Sequence, residues 1–92
     1  MTHSKITLTG SVDILTLLPI LTQAANRVRR SRGGLHLELD CLAVDDFTSL
    51  SLAQLVTSRR TLREDGAELV LLGCSDRLRS RMVHPLFEAL CG

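Results

Sequence analysis

The chain has no Trp, no Tyr and only two Phe in 92 residues, so it lacks the aromatic platforms on which bases or sugars stack. A marked basic excess is missing too: 11 Lys and Arg stand against 10 Asp and Glu, a net charge of +1, and nothing points to nucleic acid as a partner. Apolar runs extend only a few residues, far short of the roughly 20 that span a bilayer, so no direct membrane insertion is expected. Cysteine is sparse. Cys41, Cys74 and Cys91 are an odd number without CxxC spacing, and the opening Met-Thr-His-Ser-Lys lacks the basic and apolar segments of a leader; the reading is a reduced, cytoplasmic protein. The length suits one domain over residues 1–92, which buries roughly 60–65% of its unfolded surface, so a partner or second copy can supplement a thin core.

Hydrophobic content is nonetheless ordinary at 45%, and its spacing is informative. Lys5 to Thr9 alternates, with Ile6 and Leu8 on one side, and Gly10 is expected to end this first strand. Asp13 can cap a helix whose apolar face is Ile14, Leu17, Leu18, Leu21, Ala25 and Val28. Pro19 moves the expected start of its regular part to Leu17 or Leu18, because proline is tolerated only in an opening turn. Arg27, Arg29, Arg30 and Arg32 crowd its far end before Gly33-Gly34.

A strict alternation from Leu35 to Asp40 predicts the second strand, and Cys41 to Thr48 reads as a connection. Ser51-x-x-Gln54 has the form of a capping box ahead of Leu52, Leu55, Val56 and Leu62, a second helix running to about Glu64 and stopped by Gly66. Ala67 to Leu72 is almost continuously apolar, as for a strand covered on both faces and the best buried of the three. Ser75-Asp76 starts a last helix bearing Leu78, Met82, Leu86 and Leu90, bent or ended at His84-Pro85. The fold class is therefore α/β: a small domain with a mostly parallel sheet of about three strands and three helices in β-α-β-α-β-α order.

Enzymatic chemistry finds little support. Neither GxGxxG nor GxxxxGK[ST] occurs, and Gly33-Gly34 leads from a helix into a strand, where a helix stop suffices. His3, His36 and His84 are scattered without ligand spacing, so no metal and no cofactor are expected. Ser49, His84 and Asp40 can be named as a hydrolytic triad, but no GxSxG elbow accompanies them, and no catalytic residue is assigned. The basic clusters at 27–32 and 59–63 suit helix C-termini.

What is left is the turn Asp45-Asp46-Phe47-Thr48-Ser49-Leu50-Ser51, which puts three hydroxyls at the start of the second helix. They can simply cap it. Alternatively, one of them can accept a phosphate, adding about −1.5 to −2 charge at the positive end of a helix dipole.

These residues resemble a STAS domain, the fold of bacterial anti-sigma factor antagonists and of domains on sulfate transporters. Leu39-Asp40, Val44 and Thr48-Ser49-Leu50-Ser51-Leu52-Ala53 align without gaps on that family's Leu-Asp strand end, central Val and Asp-Ser-Ser-Gly-Leu-Gly motif. Thr48 stands at the Asp position, Leu50 at the second Ser and Ser51 at the first Gly. Gly66 before a strand, Ser75-Asp76 and Gly10-Ser11-Val12-Asp13 follow the family as well, so the resemblance covers essentially the whole chain. It implies a non-enzymatic anti-sigma factor antagonist acting in regulation of transcription, in which Ser49 is the phosphoacceptor. Only the dephosphorylated form would bind an anti-sigma factor/serine kinase, through Thr48, Ser49, Leu50, Ser51, Arg59 and Arg60. An alternative comes from Gly10-x-x-Asp13, Leu17-Leu18-Pro19 and the short ends. These resemble the cytoplasmic STAS subunit of the phospholipid-transport ABC system Mla, which binds the transporter ATPase and carries Thr where this chain has Ser49. In either case an open strand edge leaves room for a homodimer.

Overall fold

A computed structural model describes residues 2–30, 34–82, 87 and 90–91. Three parallel strands, β1 (Thr2–Val12), β2 (Leu35–Phe47) and β3 (Glu68–Leu72), form one sheet in the order β1-β2-β3. Helices α1 (Ile14–Arg30) and α2 (Ser49–Glu64) make the two crossovers, and a short α3 (Asp76–Arg81) follows β3. Sequential order with right-handed crossovers puts both connecting helices on one face of the sheet, where they pack on each other and on the strands.

That one-sided cover explains the alternation in the sequence. Leu35, Leu37 and Leu39 of β2 and Leu69 and Leu71 of β3 are buried against the helices, with Leu39 and Leu69 fully removed from water. Leu17, Leu21, Ala24 and Val28 descend from α1, and Leu52, Leu55 and Leu62 from α2, at the three-and-four spacing of a helical stripe. The opposite face carries half-buried His36, Glu38 and Asp40, with exposed Lys5 of β1 3.9 Å from Asp40 and His36 3.9 Å from Glu38.

Three boundaries and the cover of β3 differ from the sequence expectations. Gly10 does not end β1: at φ +68° it lies beside a register shift, a bulge that lets pairing with β2 continue to Val12. Residues 41–47 are accordingly strand rather than connection, since Thr9, Gly10, Ser11 and Val12 pair with Ala43, Val44, Asp46 and Phe47. Helix α1 begins at Ile14 because Asp13 accepts the Thr16 N–H at 2.9 Å, and Pro19 lies inside it. There the ring removes the hydrogen bond that the Leu15 carbonyl would accept, and Leu15, 80% exposed, leaves that carbonyl near water. Finally, β3 is not covered on both faces. It sits beside β2 at one side of the sheet with half-buried Glu68, Val70 and Leu72 alternating with buried Leu69 and Leu71, while β2 is the strand that lies between two others.

The second helix does run to Glu64 and stops at Gly66, whose φ of +80° only glycine adopts freely. Gly34 is equally constrained, since at φ +83° a Cβ would lie 2.9 Å from the Gly66 carbonyl oxygen. Ser75 caps α3 by accepting the Leu78 N–H, and Leu78, Met82 and Leu90 reach the core. The expected bend at His84-Pro85 and the side chain of Leu86 lie outside the described residues.

Leu39→Ala, at the centre of the core, should lower unfolding stability by about 3 kcal/mol, read as a shifted urea midpoint with an unchanged slope.

Candidate functional site

The turn between β2 and α2 is held from three sides. Phe47, the last residue of β2, is 1% exposed and anchors the chain in the core. Thr48 donates its N–H to the Val12 carbonyl at 3.1 Å, which brings the start of α2 beside the start of α1. Arg81, at the end of α3, reaches across: its Nη1 donates to Asp46 Oδ2 at 2.7 Å and to the Phe47 carbonyl at 2.8 Å.

Thr48, not Ser51, is the N-cap of α2. Its backbone is extended, its Oγ1 accepts the Ser51 N–H at 3.2 Å, and its hydroxyl lies 2.9 Å from Ser51 Oγ. The capping pair is therefore Thr48-x-x-Ser51, one turn earlier than the Ser51-x-x-Gln54 pattern suggested, and Gln54 instead donates to Ser58 Oγ at 3.1 Å. Ser51 is fully buried by this arrangement. Ser49 occupies the first helical position, exposed, with its Oγ 3.4 Å from Arg81 Nη2. Leu50 is 62% exposed beside it, and Leu15 at the start of α1 adds a second bare leucine at this end of the molecule.

The expected contact residues thus separate into groups. Thr48, Ser49 and Leu50 share the exposed turn, while Ser51 faces inward. Arg59 and Arg60 lie about ten residues along α2, about 15 Å away by helical rise. Arg59 is turned to the sheet, 3.7 Å from Glu68, with its Nε buried and unpartnered; Arg63 approaches the same carboxylate at 3.9 Å, and Arg60 is exposed. Leu52 and Leu55 are core residues and Val56 packs against the core, so the outward side of α2 is built from Leu50, Ala53, Thr57, Arg60 and Thr61. A shallow groove between α1 and α2, lined by Leu18, Leu21, Ala25, Thr57, Thr61 and Leu62, continues from it.

Electrostatically the turn is dominated by residues the sequence reading did not single out. Hydrogen bonding from Arg81 outweighs the opposing effect of burial and, with the Phe47 N–H, holds the Asp46 carboxyl below its usual range, and Arg77 adds a further positive charge 3.8 Å away. No spacing rule links position 81 to position 46, because the contact depends on how α3 folds back over β2. The one signal was the run of arginines in the last helix, which reads on its own as dipole compensation.

The hydrolytic grouping is not supported by placement. Asp40 is engaged on the open sheet face with Lys5 and the Leu42 N–H, whereas Ser49 lies beyond the far end of β2, and His84 is outside the described residues. The rings of His3 and His36 meet at a tilt of 45° with centroids 5.1 Å apart. Among the described residues no group of three or more His, Cys, Asp or Glu is arranged to hold a metal ion, and no helix is long and apolar enough to cross a membrane.

Comparison with known proteins returns the architecture and little else. No protein-family model matches the chain, and no match was found among curated proteins. One solved structure, titled "Crystal Structure Analysis of Mglu", is similar in fold, with a TM-score of 0.63 and 16% sequence identity over 83% of this chain. The chain corresponds to only 18% of the length of that structure.

Two outcomes test the geometry of the turn. Thr48→Ala should cost about 1 kcal/mol of stability through loss of the cap, measured by chemical denaturation. Because the Asp46 pKa is lowered on folding, its stabilising effect is present above the ordinary carboxylate pKa and disappears as pH falls through the lowered value. The stability gap between the wild type and Asp46→Asn should therefore be open at neutral pH and close in strong acid.

Proposed function

We propose that the protein is a non-enzymatic STAS-type interaction module of the cytoplasm. It acts as an anti-sigma factor antagonist in a partner-switching pathway, with Ser49 as the phosphoacceptor and an anti-sigma factor/serine kinase as partner. The observation that carries the reading is the exposed Ser49 hydroxyl at the first position of α2, 3.4 Å from Arg81 Nη2 and next in sequence to bare Leu50. An exposed leucine beside a modifiable hydroxyl suits a face that is buried in one state and rejected in the other.

The physics of a phosphate at this position is favourable within the protein and unfavourable to a partner. Unpaired N–H groups in the first turn of α2 and the Arg81 guanidinium stabilise the added charge. The same charge beside Leu50 would have to be desolvated when a partner covers that leucine, which disfavours the complex. Burial of Ser51 and the capping role of Thr48 make Ser49 the hydroxyl of the three with freedom to react.

A second reading keeps the face and removes the phosphate: an Mla-type subunit that docks on the ATPase of a phospholipid-transport ABC system. It is favoured by the apolar groove between α1 and α2, which offers a docking surface independent of any hydroxyl.

The readings separate in a pull-down from the native host with Ser49→Asp and Ser49→Ala. Partner switching predicts that Ser49→Asp lowers capture of a kinase-like anti-sigma factor by about tenfold or more, while Ser49→Ala retains it. Equal capture of an ABC ATPase by both variants would replace the first reading with the second. Leu50→Lys should weaken capture in either case while changing stability by no more than about 0.5 kcal/mol, because the side chain is exposed.

A further inference from the structure

The three cysteines, distant in sequence, converge at one end of the sheet. Cys41 follows Asp40, which pairs with Leu72; Cys74 lies two residues past the end of β3; and Cys91 forms a parallel bridge with Leu71. The Leu71 N–H donates to the Leu90 carbonyl at 2.7 Å, so backbone pairing fixes Cys91 next to β3. Cys91 Sγ lies 2.7 Å from Cys74 Sγ. That separation is nearer to the covalent S–S length of about 2.05 Å than to an ordinary contact between non-bonded sulfur atoms.

Access distinguishes the members of the cluster. Cys41 is 1% exposed, its thiol donates to the Leu39 carbonyl at 3.5 Å and it also hydrogen-bonds with Cys74. Cys74 and Cys91 are half-buried and within reach of a small solute. We propose that Cys74 and Cys91 form a reversible disulfide that fastens residues 90–91 along the outer edge of β3, with Cys41 remaining a buried thiol.

With glutathione disulfide as the oxidant, the thiolate of one of the two cysteines attacks a glutathione sulfur. The glutathione S–S bond breaks, one glutathione leaves as its thiolate, and a mixed disulfide forms. The second cysteine loses its proton, attacks the protein sulfur of the mixed disulfide and expels the other glutathione. The protein gives up two electrons and two protons, and glutathione disulfide is reduced to two thiols.

Burial pushes the Cys91 thiol up to about 12, and hydrogen bonding to Cys41, followed by burial, raises Cys74 as well, with the Arg79 charge opposing both, while hydrogen bonding with Cys74 lowers Cys41. Both members of the proposed pair are thus held mainly as thiols near neutral pH, and their oxidation quickens as pH rises.

The test is to incubate the full chain with glutathione disulfide at mildly alkaline pH, alkylate it under denaturing conditions and map peptides by mass spectrometry. The expected result is a monomer with Cys74 linked to Cys91 and Cys41 alkylated, returned to three free thiols by a strong dithiol. The oxidised protein should melt about 4 °C or more above the reduced form, and Cys91→Ser should remove that difference. Cys41→Ser should still lose both remaining thiols on oxidation. A Cys41–Cys74 link, a disulfide between two chains, or three free thiols after treatment with both glutathione disulfide and hydrogen peroxide would overturn the proposal.

Discussion

Strand β2 must keep Leu35, Leu37 and Leu39 from water while hydrogen-bonding on both sides, and the positions of the other elements follow from that requirement. A strand flanked by parallel partners needs two crossovers, and right-handedness puts both helices over the same face. The leucine face is thereby covered and the His36, Glu38 and Asp40 face is left to half-buried polar groups. Extension of β2 to Phe47 then delivers the β2–α2 turn to the end of the sheet with its last residue locked in the core. The exposed Ser49 is consequently positioned by rigid elements on either side, although it lies at a turn.

The order of elements was readable because amphipathic alternation and helical stripes are local signals that tertiary packing here reinforces. Leu35, Leu37, Leu39 and, in α1, Leu17, Leu21 and Val28 face where their periodicity says, whereas Leu18 of the expected α1 face is 45% exposed and Ala24 is buried in the core instead. The misread boundaries are positions where a nonlocal partner outweighed a local signal. Gly10 looks like a breaker until β2 lies alongside it, and residues 41–47, with two adjacent aspartates, look like a loop until β1 pairs with them. The apolar run of β3 suggested burial on both faces, but one of its faces is only half-covered by Glu68, Val70 and Leu72. Continuous hydrophobicity reports that a strand is apolar, not where in the sheet it stands.

The candidate site was legible to a similar depth. Its location came from hydroxyls clustered before a helix, a pattern with a capping mechanism behind it, and the turn does use Thr48 in that way. The roles of the individual hydroxyls could not be separated in sequence, because which of them is cap, buried bond or free group depends on where the helix starts. A shift of one turn in the cap transfers Ser51 to the interior and leaves Ser49 outside. Arg81 was invisible for a different reason: its contact with Asp46 closes a long loop through β3, and no periodicity reaches that far.

Arg81 also connects the stability of the fold to the chemistry of the turn. Its guanidinium is shared among the Asp46 carboxylate, the Phe47 carbonyl and the Ser49 hydroxyl, with the shorter contacts on the first two. Asp46 and Phe47 are bonded through Nη1, whereas Ser49 faces Nη2, so the planar fork has separate N–H donors for the two sides of the turn. A change of charge at Ser49 is therefore felt by the same cation that ties α3 to the end of β2, and the anchoring of the turn and the electrostatics of its exposed hydroxyl cannot be altered independently.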